Sequence, residues 1–318
     1  MKPSRDLLVW SGFSLFMLAL PLVLGSGYYL NTLVFVAIYA LPAIGLCLLV
    51  GYCGQLSISH SAFFAIGAYA SAVLSARFGV SPWLSLLLAM LLSAGVALFI
   101  GWVVLRLRGH YLAIATLSFT IIIEVLIKEL PSLTGGLQGL SGIPRLTIAG
   151  TSIATDKAFY WVVWPITLAC LWFVLNLARS RIGRVFRAIR EGEAVTGLLG
   201  VDVRRYKILA FVVSSLLASL GGSLYAHFVT FVSPAAGSVM FAIDIILVLA
   251  FGGFDRVWGA MLGVFALTYL NEYAVAFADY KRLVFGIALI GIMWFFPTGL
   301  LPGLMGYGRA ALERVRGC

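Results

Sequence analysis

The sequence predicts an all-α protein, a polytopic bundle of transmembrane helices that forms one domain over residues 1–318. Three observations carry that prediction. First, 62% of the 318 residues are hydrophobic and 11% are charged, with a mean hydropathy of +1.06. Soluble domains hold roughly 45–50% apolar and about 25% charged residues. A soluble fold of this length has too little interior to hide so much apolar surface, so lipid must cover much of it. Second, the apolar residues fall into runs near the roughly 20 residues that a helix needs to cross a bilayer. Third, the charges gather in the short stretches between those runs.

The first run, 7–24, follows MKPSRD. A charged start before an apolar stretch imitates a secretory signal, but a second run at 30–50 follows at once, which favours an uncleaved first helix. Further runs occupy 62–76, 83–105, 111–130, 159–177, 206–228, 241–251, 258–277 and 283–301. The expectation is about ten spans, with eight or nine open because the third and eighth are short. Both short runs adjoin Gly- or Pro-marked segments: GYCGQLSISH before the third, SPAAGS and FGGF around the eighth. Short or interrupted spans point to a transport pathway.

Charge supports the ten-span count. With the N-terminus inside, Arg106, Arg108, the cluster from Arg179 to Arg205, Arg256 and the tail residues Arg309, Arg314 and Arg316 fall on the inner side. Only Arg77, Arg145, Lys157, Lys281 and Arg282 fall outside, and positive charge marks the cytoplasmic side. Both termini are therefore expected in the cytoplasm, and the loop 131–158 outside. The net charge of +10 is explained by orientation, and no nucleic-acid partner is implied. The 34 glycines suit close helix packing in lipid. Cys47, Cys53, Cys170 and Cys318 show no metal-ligand or CxxC spacing and read as packing residues or free thiols. No cofactor or metal is implied.

Three places have functional composition. The segment 51–60 is polar and Gly-broken between two spans, and non-helical backbone at membrane depth is tolerated where it lines a cavity. Gln55, Ser57, Ser59 and His60 are candidates for a solute pathway. The alternative is an ordinary inner loop in which Ser57 or Ser59 caps the next helix. Glu124 and Asp244 are ionisable groups inside apolar runs, where such groups face the bundle interior or water. Glu124 can instead pair locally with Lys128 at i,i+4. His110 and His227 read as packing or interfacial residues. The inner loop RSRIGRVFRAIREGEAVTGLLGVDVRR carries charges at every third or fourth residue. It places Val185, Ile189, Val195, Leu198 and Leu199 as an apolar face beside Arg184, Arg187, Arg190 and Glu191. Gly192 and Gly197 weaken a long helix, which predicts one or two short ones. It is either a docking element for a cytoplasmic partner or a loop that only sets orientation.

That loop and the span after it, RSRIGRVFRAIREGEAVTGLLGVDVRRYKILAFVVSSLLASLGGSLYA, resemble the permease subunits of branched-chain amino-acid ABC importers of the LivM type. GYCGQLSISHSAFFAIGAYASAVL, RLRGHYLAIATLSF, LTGGLQGLSGIP and DIILVLAFGGFDRVWGAMLGVF resemble the family's other blocks in the same order, covering about 33–301. The resemblance implies a type II ABC importer architecture in the inner membrane, with two ATP-binding subunits, a second related permease and a periplasmic binding protein. It also implies that a coupling segment at about 184–200 meets the ATPase, with Arg187, Glu193, Ala194 and Gly197 carrying the contact. Its acidic residue would pair with an ATPase arginine. The family pattern commonly has Gly before the histidine of the first block, where Ser59 stands here, and this constrains the local turn.

None of Lys2, Lys128, Lys157, Lys207 and Lys281 follows a glycine, so the chain lacks the Gly-Lys-Ser/Thr that a phosphate-binding loop needs. If ATP drives the protein, another chain hydrolyses it. The expected function is import of branched-chain or other hydrophobic amino acids, with urea, short amides or aromatic acids as alternatives. An ion-coupled secondary transporter is a weaker alternative, because only Glu124 and Asp244 could serve as coupling carboxylates. An enzyme is not expected, since no nucleophile–base pair or metal cluster recurs among the spans.

Overall fold

A computed structural model describes residues 3–23, 27–107, 109–148, 151–153, 155–273 and Gly286. The expected span 283–301, the end of 258–277, Arg108 and the basic tail lie outside the described residues. Twelve α-helices are described. They are α1 (Pro3–Val23), α2 (Tyr28–Leu46), α3 (His60–Ala76), α4 (Pro82–Val104), α5 (His110–Glu129), the single turn α6 (Pro131–Thr134), α7 (Asp156–Arg179), α8 (Arg181–Glu191), α9 (Glu193–Leu198), α10 (Val203–Val229), α11 (Val239–Gly252) and α12 (Val257–Tyr273). Two antiparallel two-residue strand pairs trim the long loop: β1 (Leu140–Ser141) with β4 (Phe231–Val232), and β2 (Thr147–Ile148) with β3 (Thr151–Ser152).

The bundle is all-α and polytopic. Among the described residues, five helical segments are long and apolar enough to cross a membrane: Tyr28–Tyr52, Pro82–Val104, His110–Glu129, Asp156–Arg179 and Val203–Val229. That is fewer than the ten expected. The apolar helices Val9–Leu22, His60–Ala76 and Val239–Gly252 are shorter. The shortness of α3 and α11 has a physical cause. The third and eighth runs are extended by irregular backbone rather than by helix, with 53–59 before α3 and a 3₁₀ turn, Pro234–Gly237, before α11.

Burial sorts the helices. The Tyr28–Tyr52 span is 83% buried and Pro82–Val104 only 22%, although both are strongly apolar. A helix that is apolar all round is either wrapped by protein or bathed in lipid. Segment 28–52 is therefore the hub and α4 the rim, presenting Leu84, Leu87, Leu91, Leu98 and Phe99 outward. Helix α10 packs on α2, α3 and α4, and α7 on α2 and α1.

Lipid supplies no apolar driving force between helices, so close backbone approach and polar contacts hold them together. At the α3–α10 crossing a methyl group on Gly67 would strike the Ser219 carbonyl, and one on Gly222 the Phe64 carbonyl. The Ser223 hydroxyl donates to the Gly67 carbonyl at 3.0 Å and Ser93 to Ser219 at 2.8 Å. His227 lies at 2.8 Å through Nε2 from the Ser71 hydroxyl and donates through Nδ1 to the Pro144 carbonyl at 2.7 Å. It is thus a packing residue that ties the long loop to the bundle. Tyr160 donates to the Met17 carbonyl at 2.6 Å, and Thr167 to the Ala37 carbonyl at 3.1 Å, joining α7 to α1 and α2. Cys47 and Cys53 are buried and Cys170 half-buried, all as free thiols.

Candidate functional site

The candidate pathway residues fall in three places. The first begins where segment 28–52 ends in a π-helical turn, Cys47–Tyr52. The backbone then runs irregularly to His60. Gln55, Ser57, Ser59 and His60 are all buried. Gln55 donates to the Cys53 carbonyl at 3.2 Å, and the hydroxyls of Ser57 and Ser59 lie 2.9 Å apart. Ser59 holds the N-cap position of α3 without a side-chain capping bond, so the simple capping alternative does not describe this turn. Its φ of −88° and ψ of 0° lie in the bridge region, open to serine, so the turn does not require the family's glycine.

Irregular backbone in a bilayer must find partners, and here α5 provides them. The Ile58 N–H donates to Thr116 Oγ1 at 3.1 Å, and Thr120 Oγ1 donates to the Ile58 carbonyl at 2.9 Å. Sequence reading missed this pair. Its i,i+4 spacing puts both hydroxyls on one helix face, but a threonine pair on an apolar helix does not reveal its target. His60 keeps both ring nitrogens buried without a hydrogen-bond partner among the described residues.

The second place is Glu124. Its carboxylate accepts from Lys128 Nζ at 2.7 Å, the local ion pair, and from the Val239 N–H at the start of α11 at 3.4 Å. The third is Asp244, which lines a cavity of ≈ 330 Å³ between α2, α11 and α12. Tyr39, Phe35 and Phe241 form one wall, and Asp244, Asn271 and Glu272 stand among the lining residues. The Tyr28 hydroxyl donates to Glu272. Aromatic contacts extend that wall into the bundle, with Phe64–Phe241 centroids 5.0 Å apart and Tyr39–Phe241 5.7 Å. Neither Glu124 nor any residue of 53–60 lines this cavity, so the structure does not bring the six candidates together.

The basic segment 179–205 forms the two short helices predicted for it. The Ser180 hydroxyl caps α8, accepting from the N–H groups of Ile182 at 3.1 Å and Gly183 at 3.3 Å. The single apolar face expected from Val185 to Leu199 is divided. Phe186 and Ile189 bury α8 against the bundle. Beyond the break at Gly192, Val195 and Leu198 of α9 and Leu199 just after it are 63%, 88% and 78% exposed. Ala194 and Gly197 are exposed too. Arg187 donates to the Ala178 carbonyl at 3.2 Å. Glu193 accepts from Lys207 Nζ of α10 at 2.8 Å, with its side chain 26% exposed. Arg190 joins α8 to the bundle, donating to the Gly51 carbonyl and pairing with Asp255 at 2.6 Å. The backbone of Gly54, at a φ of +69°, rests against the Arg190 side chain. The α8–α9 unit therefore touches the π-helical turn that leads into 53–60.

Comparison with known proteins adds to this geometry. A family model described as branched-chain amino acid transport system / permease component matches residues 28–293. The chain is 32% identical over 288 residues to the high-affinity branched-chain amino acid transport system permease protein LivM of Escherichia coli, covering 83% of this chain and 68% of that one. It is 28% identical over 298 residues to LivH of Salmonella typhimurium, covering 87% and 93% of the two chains. With BraD of Pseudomonas aeruginosa the identity is 29% over 302 residues, covering 87% and 94%. No solved structure matches the chain.

Proposed function

The chain belongs to the permease-component family of branched-chain amino acid transport systems, and from that premise we propose how it moves its solute and where the driving force enters. It is the membrane permease of an ABC importer and a transport subunit rather than an enzyme. The solute is a branched-chain or other hydrophobic amino acid. The complete importer adds two ATP-binding subunits, a second related permease and a periplasmic binding protein. The full bundle has about ten spans in a type II arrangement, with both termini in the cytoplasm and loop 131–158 outside.

The observation that carries the coupling assignment is α9. Leu198 and Leu199 stand open beyond the capped, bundle-packed α8, on the side that the arginines mark as inner. Exposed apolar side chains at a polar surface indicate a protein contact. Arg187, Glu193, Ala194 and Gly197 belong to that docking unit. Arg187 and Glu193 brace it from within, while Ala194 and Gly197 face outward. Motion imposed on α9 passes through Arg190 to the turn at 51–54 and so to Gln55, Ser57, Ser59 and His60.

Asp244 and the aromatic wall beside it support the solute assignment. Two carboxylates, Asp244 and Glu272, line the cavity. They favour a solute carrying an ammonium group with an apolar side chain over urea or an aromatic acid. Glu124, tied to α11 through Val239, positions that helix beside the route. Restoring the chain to cells lacking it, and measuring uptake of labelled leucine against labelled urea, tests the substrate. Urea uptake without leucine uptake contradicts it. Leu137→Cys, at a site 77% exposed, is labelled from outside by an impermeant reagent if the topology holds, and only after lysis if it is reversed.

A further inference from the structure

Among the described residues, five buried side-chain nitrogen or oxygen atoms have no hydrogen-bond partner, and three of them belong to two neighbours, His60 and Ser61. His60 is 2% exposed and Ser61 fully buried. A buried polar group left unpaired is costly and calls for a reason. The residues just before these two do not share the condition. Gln55 donates to the Cys53 carbonyl, the hydroxyls of Ser57 and Ser59 bond one another, and the Ile58 backbone is held by Thr116 and Thr120. The unpaired side chains are the two that open α3.

The backbone at the same place is short of acceptors. Ser59 holds the N-cap position without a side-chain bond, so the first-turn N–H groups of α3 lack the acceptor that a capping serine supplies. Each Cα–Cβ bond of a helix leans toward its N-terminus. The His60 imidazole and the Ser61 hydroxyl therefore belong to the same helix end as those N–H groups. Donors at a helix N-terminus, with the positive end of its dipole, fit an anion. Residues 53–63 contain no Lys or Arg, which a phosphate group calls for. A carboxylate, with one charge and only acceptor atoms, matches the turn better.

We propose that the N-terminus of α3, with His60 and Ser61, receives the α-carboxylate of the transported amino acid when segment 53–59 moves aside. The inference rests on the amino-acid reading of the solute and deepens it. The cavity beside Asp244 is lined by two carboxylates and no cationic side chain, which suits an ammonium group and leaves the other end of a zwitterion unmatched. The turn at α3 supplies that match at a second place on the route. It is closed in this structure, since Gln55, Ser57, Ser59, His60 and Ser61 are all buried. The segment that must move is the one that Gly54 joins to Arg190 of the coupling unit.

The test is thermal unfolding of the detergent-purified protein with whatever subunits accompany it, in the absence of binding protein. The probes are acetate, compared with chloride at equal ionic strength, and 4-methylpentanoate, which keeps the carboxylate and side chain of leucine without its ammonium group. A ligand that binds only the folded protein raises the unfolding midpoint. Both carboxylates should raise it, 4-methylpentanoate at the lower concentration. His60→Leu and Ser61→Ala should each weaken that binding by about tenfold, the effect of one hydrogen bond to a charged group, and His60→Asn, which keeps a donor, should recover part of it. Without ligand the midpoint of His60→Leu should not fall, because an unpaired polar group gives way to an apolar one of similar bulk. Ser118→Ala, whose hydroxyl donates within its own helix, should change nothing. A wild-type midpoint that the carboxylates do not raise overturns the proposal, as does a rise that survives both substitutions. A lower unliganded midpoint in His60→Leu with carboxylate binding intact makes the residue structural and also overturns it. Uptake of labelled leucine by the wild-type importer is measured alongside. If uptake fails while acetate binding still depends on His60, the solute reading falls and the carboxylate site stands. If uptake holds while acetate binding ignores His60, the site alone falls. If His60→Leu does not fold, Ser61→Ala decides.

Discussion

Replacing Glu193 by alanine should destabilise the protein through a residue fourteen positions away. Lys207 is 1% exposed and its ammonium lies 2.8 Å from Glu193 Oε2, while the Glu193 side chain is 26% exposed. Removing one partner of a buried ion pair strands the other charge and costs about 3–5 kcal/mol. Water reaches this pair through Glu193, so screening brings the cost below that range, to roughly 2–3 kcal/mol. At a few degrees per kcal/mol, the midpoint of thermal unfolding in detergent should fall by about 4–8 °C. Adding Lys207→Met removes the stranded ammonium, and apolar replacement of both partners is often neutral, so the double variant should regain most of the loss. Its leucine uptake should nevertheless stay low, because α9 is no longer tied to α10. An unchanged midpoint in Glu193→Ala, or a double variant no more stable than the single one, would refute the reasoning.

Gly197→Trp should leave folding unchanged, since a Cβ there meets nothing nearer than Val203 Cγ2 at 4.0 Å. It should abolish co-purification of the ATP-binding subunit, measured by affinity pull-down. Asp244→Asn keeps the shape of the cavity and removes one carboxylate. Leucine uptake should drop with subunit assembly intact, and uptake at the wild-type rate removes Asp244 from the pathway. Thr120→Val leaves the half-buried Ile58 carbonyl without its donor, which costs roughly 1 kcal/mol, the low end for an unsatisfied acceptor. Thermal unfolding should record that loss, whereas Ser118→Ala, whose hydroxyl donates only within its own helix, should change little.

The membrane class and the all-α architecture were readable from composition, because a bilayer imposes run lengths that leave few alternatives. The two short runs were also readable: α3 and α11 are 17 and 14 residues long. What completes them was not. Thr116 and Thr120 read as ordinary apolar-helix residues until folding places them against Ile58. The split of the α8–α9 face was half visible. Gly192 marked the break, but periodicity alone cannot say that Val195 and Leu198 turn away from Phe186 and Ile189. The pairing of Glu193 with Lys207 depends on the chain reversing between α9 and α10. Sequence spacing carries no signal for such a contact, and because of it a change at Glu193 alters stability as well as docking, whereas Gly197 tests docking alone. Asp244 was singled out for its charge in an apolar run. Its cavity could not be foreseen, because Tyr39 and Glu272 come from opposite ends of the chain.

The most direct test of the permease assignment uses proteoliposomes containing this chain with its ATP-binding subunits, its partner permease and the cognate binding protein. Labelled leucine uptake is measured with ATP or a non-hydrolysable analogue inside, and with or without an imposed proton or sodium gradient. The account predicts uptake that requires hydrolysable ATP and the binding protein and ignores the gradients. Uptake driven by a gradient in the absence of ATP contradicts it.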